Sequence, residues 1–141
     1  MSKEQRNTKF ARARSVAFAF LFAAAFGHAE GDILAEADVT SVVRSYIAAL
    51  HTGDVNSLRQ IAGGQLLNKR RGVWESADYA QTLVDTYGNA TMVASPVQTR
   101  ADGSAEVSVL MTSPDFTITK TLTLSRINGV VRITDERVSQ Q

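Results

Sequence analysis

The spacing of apolar residues changes once along this chain, and that change limits the fold more than any other feature. From Val39 to Tyr87 apolar side chains recur mostly every three or four positions; from Ala90 onward they recur every two. A period near 3.6 marks one face of a helix, and a period of two marks one face of a half-buried strand. Val39, Val42, Val43, Tyr46, Ile47 and Leu50 make the first helical face, with Asp38 expected as its N-cap and Gly53 as its stop. Asp54 is expected to cap a second, shorter helix carrying Val55, Leu58 and Ile61, which Gly63-Gly64 ends. Ser76 opens a third, with Tyr79, Leu83 and Tyr87 on one side and Gly88 at its end. Residues 65–75 are ambiguous: Leu66-Leu67 and Val73-Trp74 are placed to flank a short hairpin whose tip is Lys69–Gly72.

The second half reads as strands. Thr91–Arg100 is broken by Pro96, which predicts an edge strand or a bulge. Asp102-Gly103 and Asn128-Gly129 are two-residue hairpin signals, and Ser113-Pro114-Asp115 turns the chain between them. Ala105, Val107, Val109 and Met111 share a face; so do Phe116, Ile118, Leu122 and Leu124, with Thr117, Thr119, Thr121 and Thr123 opposite. Val131 and Ile133 continue the apolar face of the last strand. Helices followed by an antiparallel meander predict an α+β domain, three N-terminal helices packed on one face of a mostly antiparallel sheet.

Composition matters first at the N-terminus. Residues 1–29 hold five basic residues and one acid, whereas residues 30–141 hold ten basic and thirteen acidic, a net −3. Lys3, Arg6, Lys9, Arg12 and Arg14 precede an uncharged apolar run from Ser15 to Phe26, and Gly27-His28-Ala29 follows. A basic head, a short apolar core and a small-x-small end predict a secretory signal cleaved after Ala29. The run is shorter than the roughly 20 residues a spanning helix needs, so no stable membrane anchor is expected after cleavage. Export places the protein in the periplasm or outside the cell, with residues 30–37 a flexible lead-in and 38–138 a single domain. The chain has no cysteine, which excludes disulfides, thiolate metal sites, thiol catalysis and a lipoprotein anchor.

The segment from Val42 to Leu58, an apolar helix with an aromatic followed by a Gly-Asp break and a second short helix, resembles the opening of the nuclear transport factor 2-like superfamily. The stretch Leu122–Asp135, with Asn128-Gly129 at its turn, is similar to that superfamily's last hairpin. The resemblance spans residues 38–136. It implies a curved sheet wrapped on three helices, a cone with a pocket at its open end. Members include isomerases, dehydratases, hydrolases, ligand binders and secretion-system subunits, so the fold does not fix a function.

By that resemblance Tyr46 occupies the position of the oxyanion-donating tyrosine of ketosteroid isomerases. Such an enzyme also needs a carboxylate base and a second donor to the oxyanion. The region after the second helix has no carboxylate until Glu75, and Thr119–Thr123 has none where the late acid belongs. Tyr46 is therefore expected to be a core residue, and no isomerase activity is expected. His51, at the end of the first helix, suits a favourable charge at a helix C-terminus and lacks the company a metal or a nucleophile needs. No phosphate loop, serine elbow or paired-carboxylate motif is present, and no cofactor or metal is expected.

Lys120 falls on the inward side of the Phe116–Leu124 alternation, where a charge is costly unless paired or wet. Either its stem reaches water at a bulge or edge, or the ammonium faces the interior and meets an acid such as Asp85 or an anionic ligand group. Tyr46, Tyr79, Tyr87 and Lys120 are the candidate pocket residues. Arg70 and Arg71, in the basic cluster, Trp74 beside it and Thr121 on the outer sheet face are the candidate partner contacts, Thr121 for a homodimer through the sheet. The net −3 and the export signal argue against nucleic acid. The leading expectation is an exported non-catalytic domain that binds a small apolar or amphipathic molecule, or a partner protein. The alternatives are a pocket enzyme using Asp78 or Asp85 and a structural subunit of an envelope assembly.

Overall fold

Gly53 and Gly63 separate helices in the first half of the molecule, and Gly88 ends the last of them. The computed structural model describes residues 33–140; the expected signal segment and its cleavage point lie outside them. Helix α1 spans Glu36–Thr52, α2 Val55–Ile61, α3 Gly64–Trp74 and α4 Tyr79–Tyr87. Five strands follow: β1 Thr91–Ala94, β2 Gln98–Thr99, β3 Ala105–Ser113, β4 Phe116–Ile127 and β5 Val130–Gln140. The fold is α+β as expected, with four helices rather than three among the described residues.

Gly53 ends α1 with φ at 71°, a left-handed conformation that glycine adopts without penalty. A Cβ there would lie 2.5 Å from the Ala80 carbonyl oxygen, so the same residue also lets α4 pack closely. Asp54 caps α2 by accepting from the Ser57 backbone N–H at 3.0 Å. Asp38 does not cap α1, which begins at Glu36 after Ala35. The lead-in is also shorter than expected, because Leu34 is buried in the core.

The ambiguous segment is helical. Leu66, Arg70 and Trp74 are spaced i, i+4, i+8, which aligns them on one face, and Leu66 and Trp74 are buried. Gly72 is not a turn residue but an exposed helical position with open space around it. Lys69-Arg70-Arg71 therefore lies on a helix and not at a hairpin tip.

The sheet is antiparallel throughout, in the order β1-β3-β4-β5, with β2 also pairing β3. Pro96 breaks the edge into β1 and β2 as expected. Asn128 and Gly129 both have positive φ, 51° and 82°, as a type I′ hairpin turn requires. Ala105, Val107, Val109, Met111, Leu122, Leu124, Val131 and Ile133 are all buried and meet Val39, Val43, Tyr46 and Leu50 of α1 in one core. The β4–β5 register shifts between Thr123 and Leu124, so that Leu124 faces Ile133 while Thr123 faces Asp135. Among the described residues no helix is long and apolar enough to cross a membrane.

Candidate functional site

Two places in the fold bring chemistry-bearing side chains together, one inside and one at the sheet edge. The inner one is built on Tyr46 of α1, Arg70 and Trp74 of α3, Tyr79 of α4, Lys120 of β4 and Glu136 of β5. Glu136 is its centre. Its Oε2 accepts the Tyr46 hydroxyl at 2.5 Å and lies 3.6 Å from Lys120 Nζ; its Oε1 accepts from Arg70 at 2.7 Å. Lys120 Nζ is 3.4 Å from the Tyr46 oxygen and 4.9 Å from the centroid of the Tyr87 ring, a cation–π distance. Tyr87 in turn packs edge-on to Phe116, with centroids 6.0 Å apart.

Burial alone pushes the Glu136 carboxyl up. The charges of Lys120 and Arg70 and the hydrogen bonds from Tyr46 and Arg70 outweigh it and hold the carboxyl below its usual range. Burial, then the adjacent Glu136 charge, push the Tyr46 hydroxyl well above its ordinary value. Arg70 is also raised, because Glu136 more than offsets its own partial burial. At neutral pH the cluster is a carboxylate between two cations with a neutral phenol donating to it.

All four candidate pocket residues thus converge, but not around a usable cavity. The space bordered by Tyr46, Tyr79 and Lys120 is about 10 Å3, which holds about one water at most. The Tyr46 proton is already donated to Glu136, so the hydroxyl is not aimed at a substrate oxyanion. Lys120 neither reaches water nor meets Asp85; it is 7 % exposed and pairs with Glu136. Asp85 is exposed on α4 and accepts from Gln81, and Asp78 is exposed at the start of the same helix. Neither lines the inner site. Of the expected partner contacts, Trp74 is buried at 6 % exposure and cannot be a surface anchor. Arg70 turns inward to Glu136, while Arg71 stays exposed and contacts Asn68. Thr121 lies on the outer sheet face with its hydroxyl 3.3 Å from that of Ser108. His51 is committed to the Ala90 carbonyl oxygen at 2.9 Å. Among the described residues no group of three or more His, Asp or Glu is arranged to hold a metal ion.

Glu136 was not visible from sequence. Simple alternation from Val131 and Ile133 would put Asp135 inside and Glu136 outside. The extra residue at Thr134 slips the phase by one, and a one-residue slip exchanges the faces of a strand. Glu136 then lies beside inward Leu122 and diagonal to Lys120.

The second place is a cleft of about 280 Å3 between α1 and the β1–β2 connection. Val43, Ile47, Ala94, Val97 and Val107 make its walls mostly apolar, and Thr40 and Arg44 border it from α1. Hollows of similar volume beside Arg126 and beside Arg59 are wider open and more polar.

Comparison of the whole fold gives two informative neighbours. An NTF-2-like protein of unknown function from Silicibacter pomeroyi superposes with a TM-score of 0.51 at 20% identity, covering 74% of this chain and 94% of that one. An NTF2-like protein of unknown function from Shewanella baltica gives 0.55 at 12% identity, covering 74% and 91%. The chain has the nuclear transport factor 2-like fold. No protein-family model matches its sequence, and no curated protein does either. Within this fold the inner cluster occupies the space between the helices and the sheet, where Tyr46 was expected from the resemblance, and fills it with an ion-paired network. The apolar cleft lies to the side, against the broken sheet edge.

Proposed function

We propose that this protein is an exported, non-catalytic domain that holds a small apolar or amphipathic molecule in the cleft between α1 and the β1–β2 connection. The observation that carries the reading is the contrast between the two sites. The inner one spends its ionisable groups on one another and leaves space for about one water; the cleft is open, mostly apolar and near the low end of small-molecule pocket volumes. The basic head, apolar run and Gly27-His28-Ala29 support export. A second reading, self-association through the outer sheet face, has one observation in its favour. Val93 and Leu110 face each other across β1 and β3 and are 58 % and 42 % exposed.

Native mass spectrometry of protein isolated from the cell envelope tests both. The expected result is one chain carrying a small-molecule adduct that disappears in Ala94→Trp, which places an indole in the cleft. A bare chain from every preparation would overturn the ligand reading, and a doubled mass without adduct would favour the second.

A further inference from the structure

We propose that the cleft selects an amphiphile with an anionic head, and that Arg44 is the residue that reads the head. This rests on the reading of the cleft as the ligand site and names the class of molecule it takes.

Arg44 stands apart from the other basic residues. Lys69, Arg70, Lys120 and Arg137 each pair with a carboxylate, and Arg59 and Arg132 donate to backbone carbonyls. Among the described residues Arg44 alone of the basic side chains makes neither a hydrogen bond nor an ion pair, and it borders the cleft. No acidic side chain is among the described residues that line this space. A guanidinium has five donors in a fixed fork that matches a carboxylate or phosphate. Thr40 lies one turn earlier on α1, so its hydroxyl and the guanidinium border the same side of the opening. Ser95, on the facing lip, is already used: its hydroxyl donates to the Pro96 carbonyl oxygen and accepts from the Ser108 N–H. The polar end of a ligand therefore belongs at the α1 side, and its tail against Val43, Ile47, Val97 and Val107. At about 30 Å3 for a water-sized group, the volume suits a tail and head of roughly nine such groups. A cationic head would meet Arg44 with no acid to offset it.

The test uses three probes of one length, octanoate, octanamide and octylammonium, titrated into the full protein and followed by NMR at the methyl groups of Val43 and Ile47. Octanoate should bind roughly five-fold tighter than octanamide, the scale of an exposed ion pair, and octylammonium should bind weakest. Arg44→Gln should abolish the preference for octanoate while leaving octanamide unchanged. Added salt should narrow the preference, because an exposed pair is screened. Ala94→Trp should weaken all three. Equal binding of octanoate and octanamide, with both lost in Ala94→Trp, would overturn the anionic head and leave the cleft standing. A preference that survives Arg44→Gln would overturn the role of Arg44. If no probe binds, or Ala94→Trp changes nothing, the cleft reading fails and this inference with it. Octyl phosphate in place of octanoate separates a carboxylate reader from a phosphate reader.

Discussion

Glu136 is the one anion facing two cations in a buried cluster, and that imbalance has consequences at the level of single residues. Removing it strands Lys120 and Arg70, whereas removing Lys120 leaves a one-to-one pair with Arg70. Breaking a buried pair by deleting one partner costs about 3–5 kcal/mol. Glu136→Gln should therefore destabilise by about that amount in urea melts at pH 7, and Lys120→Met by clearly less; equal losses would contradict the assigned geometry. The pH dependence follows from the same carboxyl. Its folded value lies below its unfolded value of about 4.3, so the folded state holds this proton less readily than the unfolded chain. The stabilisation is complete above the unfolded value and is lost as pH falls through the folded one. Denaturation midpoints of the wild type should drop across that acid window, and the drop should be shallower in Glu136→Gln. Lys120 was legible in the sequence as an inward charge because β4 alternates without a fault. Its partner was not, because the phase slip in β5 depends on how two strands pair and leaves no mark in the composition of either.

Helices and strands were legible where their own periodicity decided them and obscure where a tertiary contact did. The type I′ turn at Asn128-Gly129 and the break at Pro96 follow from backbone chemistry that no packing can override. Helix α3 was ambiguous in the sequence because Gly72 resembles a turn residue and because its buried face includes an arginine. Only the carboxylate of β5 makes that arginine an acceptable inward residue. The junction between α1 and α2 gives a sharp test at this scale. Gly53→Ala places a Cβ against the Ala80 carbonyl oxygen and forces an L-residue to keep a positive φ. The left-handed conformation alone costs about 1–2 kcal/mol, so thermal unfolding should show a loss of at least that size. The control Gly72→Ala meets no atom and replaces a helical glycine, so it should gain up to about 1 kcal/mol.

For the whole molecule, the change of period at residue 88 was enough to read an α+β domain, and the order of elements was enough to point to the fold. The candidate site was less legible, because the proposed cleft is made by residues of α1, β1, the β1–β2 connection and β3 that are ordinary in their own segments. Arg44 in particular reads as one more exposed helical charge until its lack of a partner among the described residues is seen. Export is checked directly by N-terminal sequencing of envelope material, which should begin at Glu30; an intact Met1 or Ser2 would refute it. The interrupted strand at Pro96 carries a consequence for behaviour in concentrated solution. An unpaired strand edge is a template for adding another chain, and shortness and proline are among the devices that blunt it. On the β1 side the edge offers four residues, a gap and then two, too little for a newcomer to zip onto. Growth of sheet-like aggregates would then fall to the β5 edge, part of which is already taken where the Ile133 carbonyl oxygen accepts from the Gly63 N–H.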